Sequence, residues 1–313
     1  MAGTLERVIA GSEAMRELLA VIERLATVAT PVLLEGESGT GKDLLAHLLH
    51  YQGSRRDGPL IKVHCPSIPE DLLESELLGH EPGAFTDAKS AKLGKIEMAG
   101  GGTLYFDQIQ DLSPRLQGKL LRVVEEKQFE RLGGTKTIDV DVRFVASSNV
   151  PLHESVARGV FREDLFHRLN VVPLTVPPLR ERRGDVIALA ELFLQRARER
   201  GSTRAHGFTP DAQQRLRGYH WPGNVRELRS AVERSALYAN TDEISSDVLP
   251  NNVTDSPQTL WEGRERHPSL RDVEIEYIRH ILTRCDGSQT RAASALGISR
   301  KALWQKRKRY GIL

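Results

Sequence analysis

Cysteine is nearly absent: Cys65 and Cys285 are the only two in 313 residues, far apart and without a Cys or His neighbour at metal-ligand spacing. A disulfide scaffold and a zinc-stapled core are therefore excluded, a reducing compartment suits the chain, and both thiols are expected as small buried apolar groups. No apolar run approaches the roughly 18 residues of a membrane span, and the start MAGTLERVIAGSEAM lacks the charged and apolar regions of a signal peptide. A cytoplasmic protein without a membrane partner is the expectation. Charge of one sign is also lacking, since 44 Lys and Arg stand against 42 Asp and Glu, a formal +2. As an average this advertises neither nucleic acid nor an anionic surface. The average hides a segregation: the stretch 287–313 holds seven basic residues and no acidic one, which leaves the remainder at −5. A basic tail follows an acidic body.

What is present is length enough for two or three domains of about 100 to 200 residues, each with its own core. After Ser12, a cap candidate, apolar residues at Met15, Leu18, Leu19, Ile22 and Leu25 predict a helix with one buried stripe. Short β-prone runs then alternate with helical stretches: Val32 to Leu34, Leu60 to Val63, Thr103 to Phe106, Val142 to Ala146 and Val171 to Leu174. Such alternation predicts a parallel sheet with helices on both faces and ligands at the carboxyl ends of its strands. From about Pro178 helical patterns take over, at Val186 to Arg200, Pro210 to Leu216 and Asn224 to Tyr238, the last after a Trp221-Pro222-Gly223 break. Residues 241–268 are polar and aperiodic and read as a linker. Ser269 and Asp272 form a capping-box variant ahead of a helix lined by Leu270, Val273, Ile278, Ile281 and Leu282.

Gly36-Glu37-Ser38-Gly39-Thr40-Gly41-Lys42 fits GxxxxGK, directly after an apolar strand and before a helix. Glycines let backbone N–H groups turn toward phosphates, the helix N-terminus adds partial positive charge, and Lys42 reaches the β and γ phosphates. Asp43 occupies the position of the usual Mg²⁺-binding hydroxyl, so that ligand has to come from Thr40, water or another group. The strand Gly101-Gly102-Thr103-Leu104-Tyr105-Phe106-Asp107 supplies the carboxylate expected to hold Mg²⁺ through its water shell. Hydrolysing proteins of this type usually place Glu next, and here the residue is Gln108. A neutral amide orients a water but cannot take its proton, so ATP binding is expected to survive and hydrolysis to slow.

The motifs GESGTGKD, ESELLGHEPGAFTDA, GGTLYFDQ, FREDLFHRL, VPPLRER and WPGNVREL follow one another in an order that resembles bacterial enhancer-binding proteins. These are AAA+ ATPases that activate transcription by the sigma-54 form of RNA polymerase. The resemblance covers residues 5–240, and the C-terminal part resembles their Fis-type helix-turn-helix. It implies that Gly83, Ala84, Phe85, Thr86, Asp87 and Ala88 form the surface loop that grips sigma-54, usually GAFTGA, with Asp87 replacing its second glycine. It also implies that Arg162 and Arg168 are arginine fingers reaching the next subunit of a ring, hexameric in the family. Asn149 is then the first γ-phosphate sensor and Arg226 the second. A further departure is His64, where the family commonly has an Asn that restrains the catalytic Glu; both members of that pair have changed.

Near the C-terminus, Ala292, Ala293 and Leu296 give one short helix an apolar face, Gly297 permits a turn, and Ser299 caps a second helix to Tyr310. Arg300, Lys301, Ala302, Gln305, Lys306 and Arg309 are the candidates for double-stranded DNA. Arg307 stands where such domains often bury a leucine. Dimerisation through the Leu270 to Leu282 helix and binding to an inverted repeat are expected. The fold expected is α/β: a AAA+ P-loop parallel sheet sandwich in 1–177, a helical lid subdomain in 178–240, the linker 241–268, and an all-α helix-turn-helix domain in 269–313. No receiver-like segment precedes Glu6, so control is expected from a partner in trans, from expression level, or from a partner subunit with an intact Glu. Two other functions stay open: a DNA-binding regulator that binds ATP without hydrolysing it, and a AAA+ remodeller of another protein.

Overall fold

The computed structural model describes residues 9–86, 88–254, 269–285 and 288–312. The chain divides into two compact units, Met1–Pro250 and Asn251–Leu313. In the first, strands β1 (Val32–Glu35), β2 (Leu60–His64), β3 (Thr103–Asp107), β4 (Arg143–Ser148) and β5 (Val172–Thr175) form one parallel sheet in the order β2-β3-β4-β1-β5. These are the five runs expected from the sequence. Strands covered on both faces need near-continuous apolar sequence, and the period-two alternation sends neighbours into different cores. Leu33, Leu104, Phe106, Phe144 and Ala146 face one layer, with Leu73 and Leu77 of α3 (Glu70–Leu78), Leu116 and Leu120 of α4 (Pro114–Glu126), and Leu165 and Leu169 of α5 (Glu163–Leu169). Val32, Leu34, Tyr105 and Val145 face the other, against Met15, Leu18 and Ile22 of α1 (Glu13–Ala26) and Leu45, Leu48 and Leu49 of α2 (Lys42–Tyr51).

Two local expectations change. Ser12 occupies the N-cap of α1, yet its hydroxyl accepts nothing from the first turn. It donates instead to Asp185 Oδ2 at 2.9 Å, while the Ser12 N–H donates to Asp185 Oδ1 at 2.6 Å. A fully buried carboxylate from 173 residues away outcompetes the local bond, since a buried charge needs donors more than a solvated helix end does. The second change concerns residues 241–268. Strand Glu243–Ile244 pairs with Gly207–Phe208, and Ile244 and Leu249 are buried, so this part of the linker is folded. A two-residue strand and two isolated aliphatics carry no periodic signal. The remaining linker, 255–268, lies outside the described residues.

The helical subdomain contains α6 (Val186–Glu199), α7 (Pro210–Gly218) and α8 (Asn224–Tyr238). Trp221 is fully buried before α8, and its Nε1 donates to Leu216 O at 2.9 Å. The second unit has α9 (Leu270–Arg284), α10 (Gln289–Ala295) and α11 (Arg300–Tyr310), packed on Ile278, Leu282, Ala292, Ala293 and Leu303. Its capping box forms as expected: Ser269 Oγ accepts from the Asp272 N–H at 3.3 Å, and Asp272 Oδ2 accepts from the Ser269 N–H at 3.1 Å. Between α10 and α11, Gly297 takes φ +66°, and Ser299 Oγ accepts from Ala302 N at 3.1 Å.

Candidate functional site

The loop 36–41 joins β1 to α2 and has three glycines at positive φ: +148° at Gly36, +80° at Gly39 and +106° at Gly41. A Cβ on Gly36 would lie 2.6 Å from Val176 O, and one on Gly39 would lie 2.4 Å from Gly223 O. Neighbouring backbone therefore enforces those two, whereas Gly41 has nothing within 4 Å and borders open space. Lys42 is nearly buried, its Nζ donating to Gly36 O at 2.5 Å, Glu37 O at 2.9 Å and Asn149 Oδ1 at 2.8 Å. Burial pushes its ammonium down to about 8, against the opposing pull of Asp107. Thr40 is also buried, and its hydroxyl donates back into the loop, to Glu37 O at 2.8 Å.

Asp107 ends β3 beside this loop. Burial pushes its carboxyl up, but Lys62 Nζ, 3.1 Å from Oδ2, holds it below the usual carboxylate range, helped by Ser147 Oγ donating to Oδ1 at 3.0 Å. Gln108 follows in the left-handed region, φ +62° and ψ +57°, with its N–H donating to Ser147 Oγ at 3.3 Å. Such a conformation costs a non-glycine residue roughly 1 kcal/mol, and strain of this kind concentrates at functional positions. His64 is exposed at the end of β2, in register with Asp107.

The helical subdomain closes directly on the loop. Arg180 donates twice to Glu37, at 2.7 and 2.9 Å, and Arg182 Nη2 donates to Thr40 O at 2.5 Å. Arg226 Nη1 donates to Ser38 Oγ at 2.9 Å, and the Val225 N–H to Gly39 O at 3.0 Å. Asn224, fully buried at φ +53°, donates through Nδ2 to Glu37 and Ser38 O, both at 3.1 Å, and accepts from Leu179 N at 2.7 Å. Asn224→Ala should destabilise the first unit by roughly 2 to 4 kcal/mol, because the Leu179 N–H loses its acceptor and alanine tolerates the left-handed region poorly. Thermal unfolding checks this; an unchanged midpoint would show that the Asn224 bonds to Leu179, Glu37 and Ser38 contribute nothing to stability. A cavity of about 80 Å³ opens beside the loop, lined by Ile9, Gly41, Leu44, Leu189, Phe193 and Val225, with Arg182 and Arg196.

The loop carrying Phe85 rises from the short strand Gly79–His80, paired antiparallel with Lys92–Leu93. Gly83 N–H bonds Ala88 O at 2.8 Å, and Ala88 N–H bonds Phe85 O at 2.9 Å, which closes the loop on itself. Ala88 is buried and anchors it, Gly83 and Thr86 are exposed, and Ala84 packs on the turn at Gly133, where a Cβ would lie 2.8 Å from the Ala84 Cβ. Phe85 is 44% exposed, its ring edge-on to His80 at 4.9 Å. Asp87 lies outside the described residues. Arg131 ties the loop base to the body through Glu81 and Glu97, at 2.9 and 2.8 Å.

Arg162 and Arg168 are half exposed on or beside α5, paired with Asp164 and Glu125 and not with the loop 36–41. Gln117, fully buried, accepts from Arg162 N at 2.8 Å and donates to Val160 O at 3.0 Å, so it sets the turn that presents Arg162.

Family models match the whole of this arrangement: the sigma-54 interaction domain over residues 8–175, the AAA+ ATPase lid domain over 180–265, and the bacterial regulatory protein, Fis family, over 269–310. The chain belongs to the sigma-54 activator family. It is a sigma-54 activator with a AAA+ P-loop NTPase fold and a Fis-type DNA-binding domain. The activator is 45% identical over 299 residues to transcriptional regulatory protein ZraR of Klebsiella oxytoca, covering 95% of this chain and 68% of that one. It is 43% identical over 307 residues to nitrogen fixation protein AnfA of Azotobacter vinelandii, covering 97% and 57%. The chain thus spans about three-fifths to two-thirds of the length of these curated relatives. Among solved structures, NtrX from Brucella abortus in complex with ATP is 36% identical with TM-score 0.75, over 98% of this chain and 70% of that one.

In the DNA-binding domain of this activator, Arg300, Lys301, Gln305 and Arg309 are exposed on α11 and Ala302 is half-buried. Lys306 is different: its ammonium is ion-paired to Glu274 of α9, whose Oε2 also accepts from Tyr310 at 2.5 Å. Arg307 is half-buried and donates to Ile312 O at 3.3 Å, so it tucks its head against the C-terminal turn in place of an apolar contact. Among the described residues no helix is long and apolar enough to cross a membrane.

Proposed function

We propose that this activator binds ATP at the loop 36–41 and uses the nucleotide state to move the Phe85 loop against sigma-54 within a ring, six-membered as in the family, while α11 holds an upstream DNA site. In the bound state, MgATP supplies a phosphoanhydride and a γ-phosphate whose presence or loss is the signal. The loop N–H groups and Lys42 hold the phosphates, Asp107 is the carboxylate that would hold magnesium where Lys62 yields it, and the cavity beside Ile9, Leu44 and Val225 accepts the apolar face of a base. Asn149 and Arg226 sense the γ-phosphate from the sheet and the lid. Arg162 and Arg168 serve the neighbouring subunit. Two DNA-binding domains pair through α9 on an inverted repeat, with Arg300, Lys301, Ala302, Gln305 and Arg309 toward the groove and phosphates.

One observation carries this reading: the lid turn is hydrogen-bonded to the loop itself, through Val225 and Arg226 to Gly39 and Ser38. A change at the loop is thereby coupled to the lid without an intermediary. A second reading, in which ATP assembles the protein and is not turned over, is favoured by Gln108. The sigma-54 role is tested by Phe85→Ala: binding of purified sigma-54 in the presence of an ATP analogue is expected to weaken by about tenfold or more, the loss typical of a central aromatic anchor. The melting temperature should hold, because Phe85 is only half-buried. Unchanged binding would overturn the loop assignment.

A further inference from the structure

Two carboxylates flank the end of the phosphate loop, and a lysine lies between them. Asp43 is the second residue of α2, directly after Lys42, and Asp107 ends β3. Lys62 comes from β2, an edge strand of the sheet, where Tyr105 is its register partner. Period-two alternation puts Lys62 and His64 on the same face as Tyr105 and Asp107. The Lys62 ammonium is ion-paired to Asp43 Oδ1 and stands 3.1 Å from Asp107 Oδ2, with the Tyr105 ring centroid 5.4 Å away. The lysine is 34% exposed and Asp107 17% exposed, so the pair is screened less than a surface contact.

We propose that Lys62 is a built-in counter-cation for Asp43 and Asp107, so that this activator binds nucleotide with little dependence on magnesium. The inference rests on the nucleotide-binding reading above. A divalent ion is held here by carboxylate oxygen, directly or through its water shell. Of the two carboxylates that can serve, both are already bonded to the ammonium, and the second oxygen of Asp107 accepts from Ser147 at 3.0 Å. Among the described residues no cluster of three or more His, Cys, Asp or Glu offers another metal cage. A divalent ion must therefore displace Lys62 or share the carboxylates with it. The same ammonium supplies positive charge at the phosphate end of the cradle when no metal is present.

The test measures binding of a fluorescent ADP analogue to the full chain, in magnesium and in EDTA, for the wild type and Lys62→Met. Wild-type affinity should change by no more than about threefold on metal removal, whereas Lys62→Met should lose about tenfold or more in EDTA and recover in magnesium. A second readout compares the two proteins through the metal itself: titration with Mn²⁺ in the presence of ADP, followed by electron paramagnetic resonance, should give binding about tenfold weaker in the wild type than in Lys62→Met. A wild type that loses affinity on metal removal as steeply as Lys62→Met, or binds Mn²⁺ equally well, overturns the Lys62 assignment alone. Failure of the wild type to bind the analogue even with magnesium overturns the nucleotide reading and this inference with it.

Discussion

Replacing Gln108 by Glu should raise steady-state ATP turnover per subunit by roughly 10² to 10⁴, the usual worth of a positioned general base. The side chain keeps its length and the backbone its place, because the left-handed turn after Asp107 is fixed through the Gln108 N–H and Ser147. What changes is that an oxygen able to take a proton replaces an amide nitrogen. ATP affinity should stay within about threefold, since the groups proposed to hold phosphate, Lys42 and the loop N–H groups, are untouched. His64 sharpens the comparison. It sits exposed at the end of the adjacent strand and in register with Asp107, so it provides no buried amide to hold a new carboxylate in reserve. The gain is therefore expected without sigma-54 present, and across rising protein concentration as rings form. Equal and substantial rates in both proteins would show that another group supplies the base. No rate in either would sink the motor reading and leave the assembly reading standing.

The central sheet was legible because its inner strands β1, β3 and β4 are covered on both faces and read as short apolar runs between helices with a 3.6 period. The turn at 36–41 was legible because three glycines between a strand and a helix have few reasons other than positive φ to occupy that spacing. The capping box at Ser269 and the turn at Gly297 were legible too, each governed by neighbours within four residues. What sequence could not expose depends on contacts between distant segments. Ser12 reads as a cap until Asp185, folded against it, takes its hydroxyl. The cavity beside the loop is lined mostly by residues such as Ile9, Leu44, Leu189, Phe193 and Val225, aliphatic and aromatic and indistinguishable in sequence from core, with Arg182 and Arg196 at it as well. Arg180 and Arg182, part of VPPLRER but without a role assigned from sequence, bond Glu37 and Thr40 from the lid side. Lys62 carried no motif at all. Its meaning arises only when β2 is laid beside β3 and α2 is folded above both.

In a Gln108→Glu background, Arg162→Ala or Arg168→Ala should cut turnover by roughly 10³ to 10⁵, if these guanidiniums stabilise charge on the phosphoryl group in transfer. Neither change should disturb the fold, because both arginines are about half exposed and their pairs with Asp164 and Glu125 are of the solvated kind that contributes little. The same solvation makes those pairs easy to exchange for another anion, which a residue serving a neighbour requires. Gln117 makes Arg162 the better placed of the two, since its buried amide bonds the Arg162 N–H and Val160 O and so fixes the turn. Whether the arginines act on their own subunit or the next is decided by mixing. Subunits carrying Arg168→Ala keep an intact site, and subunits carrying Lys42→Ala keep an intact Arg168, so each alone should be inactive. If the arginine acts in trans, mixed rings place an intact arginine beside an intact site, and activity returns in proportion to that pairing. If it acts in cis, no mixture recovers activity, and the head-to-tail ring loses its main chemical reason.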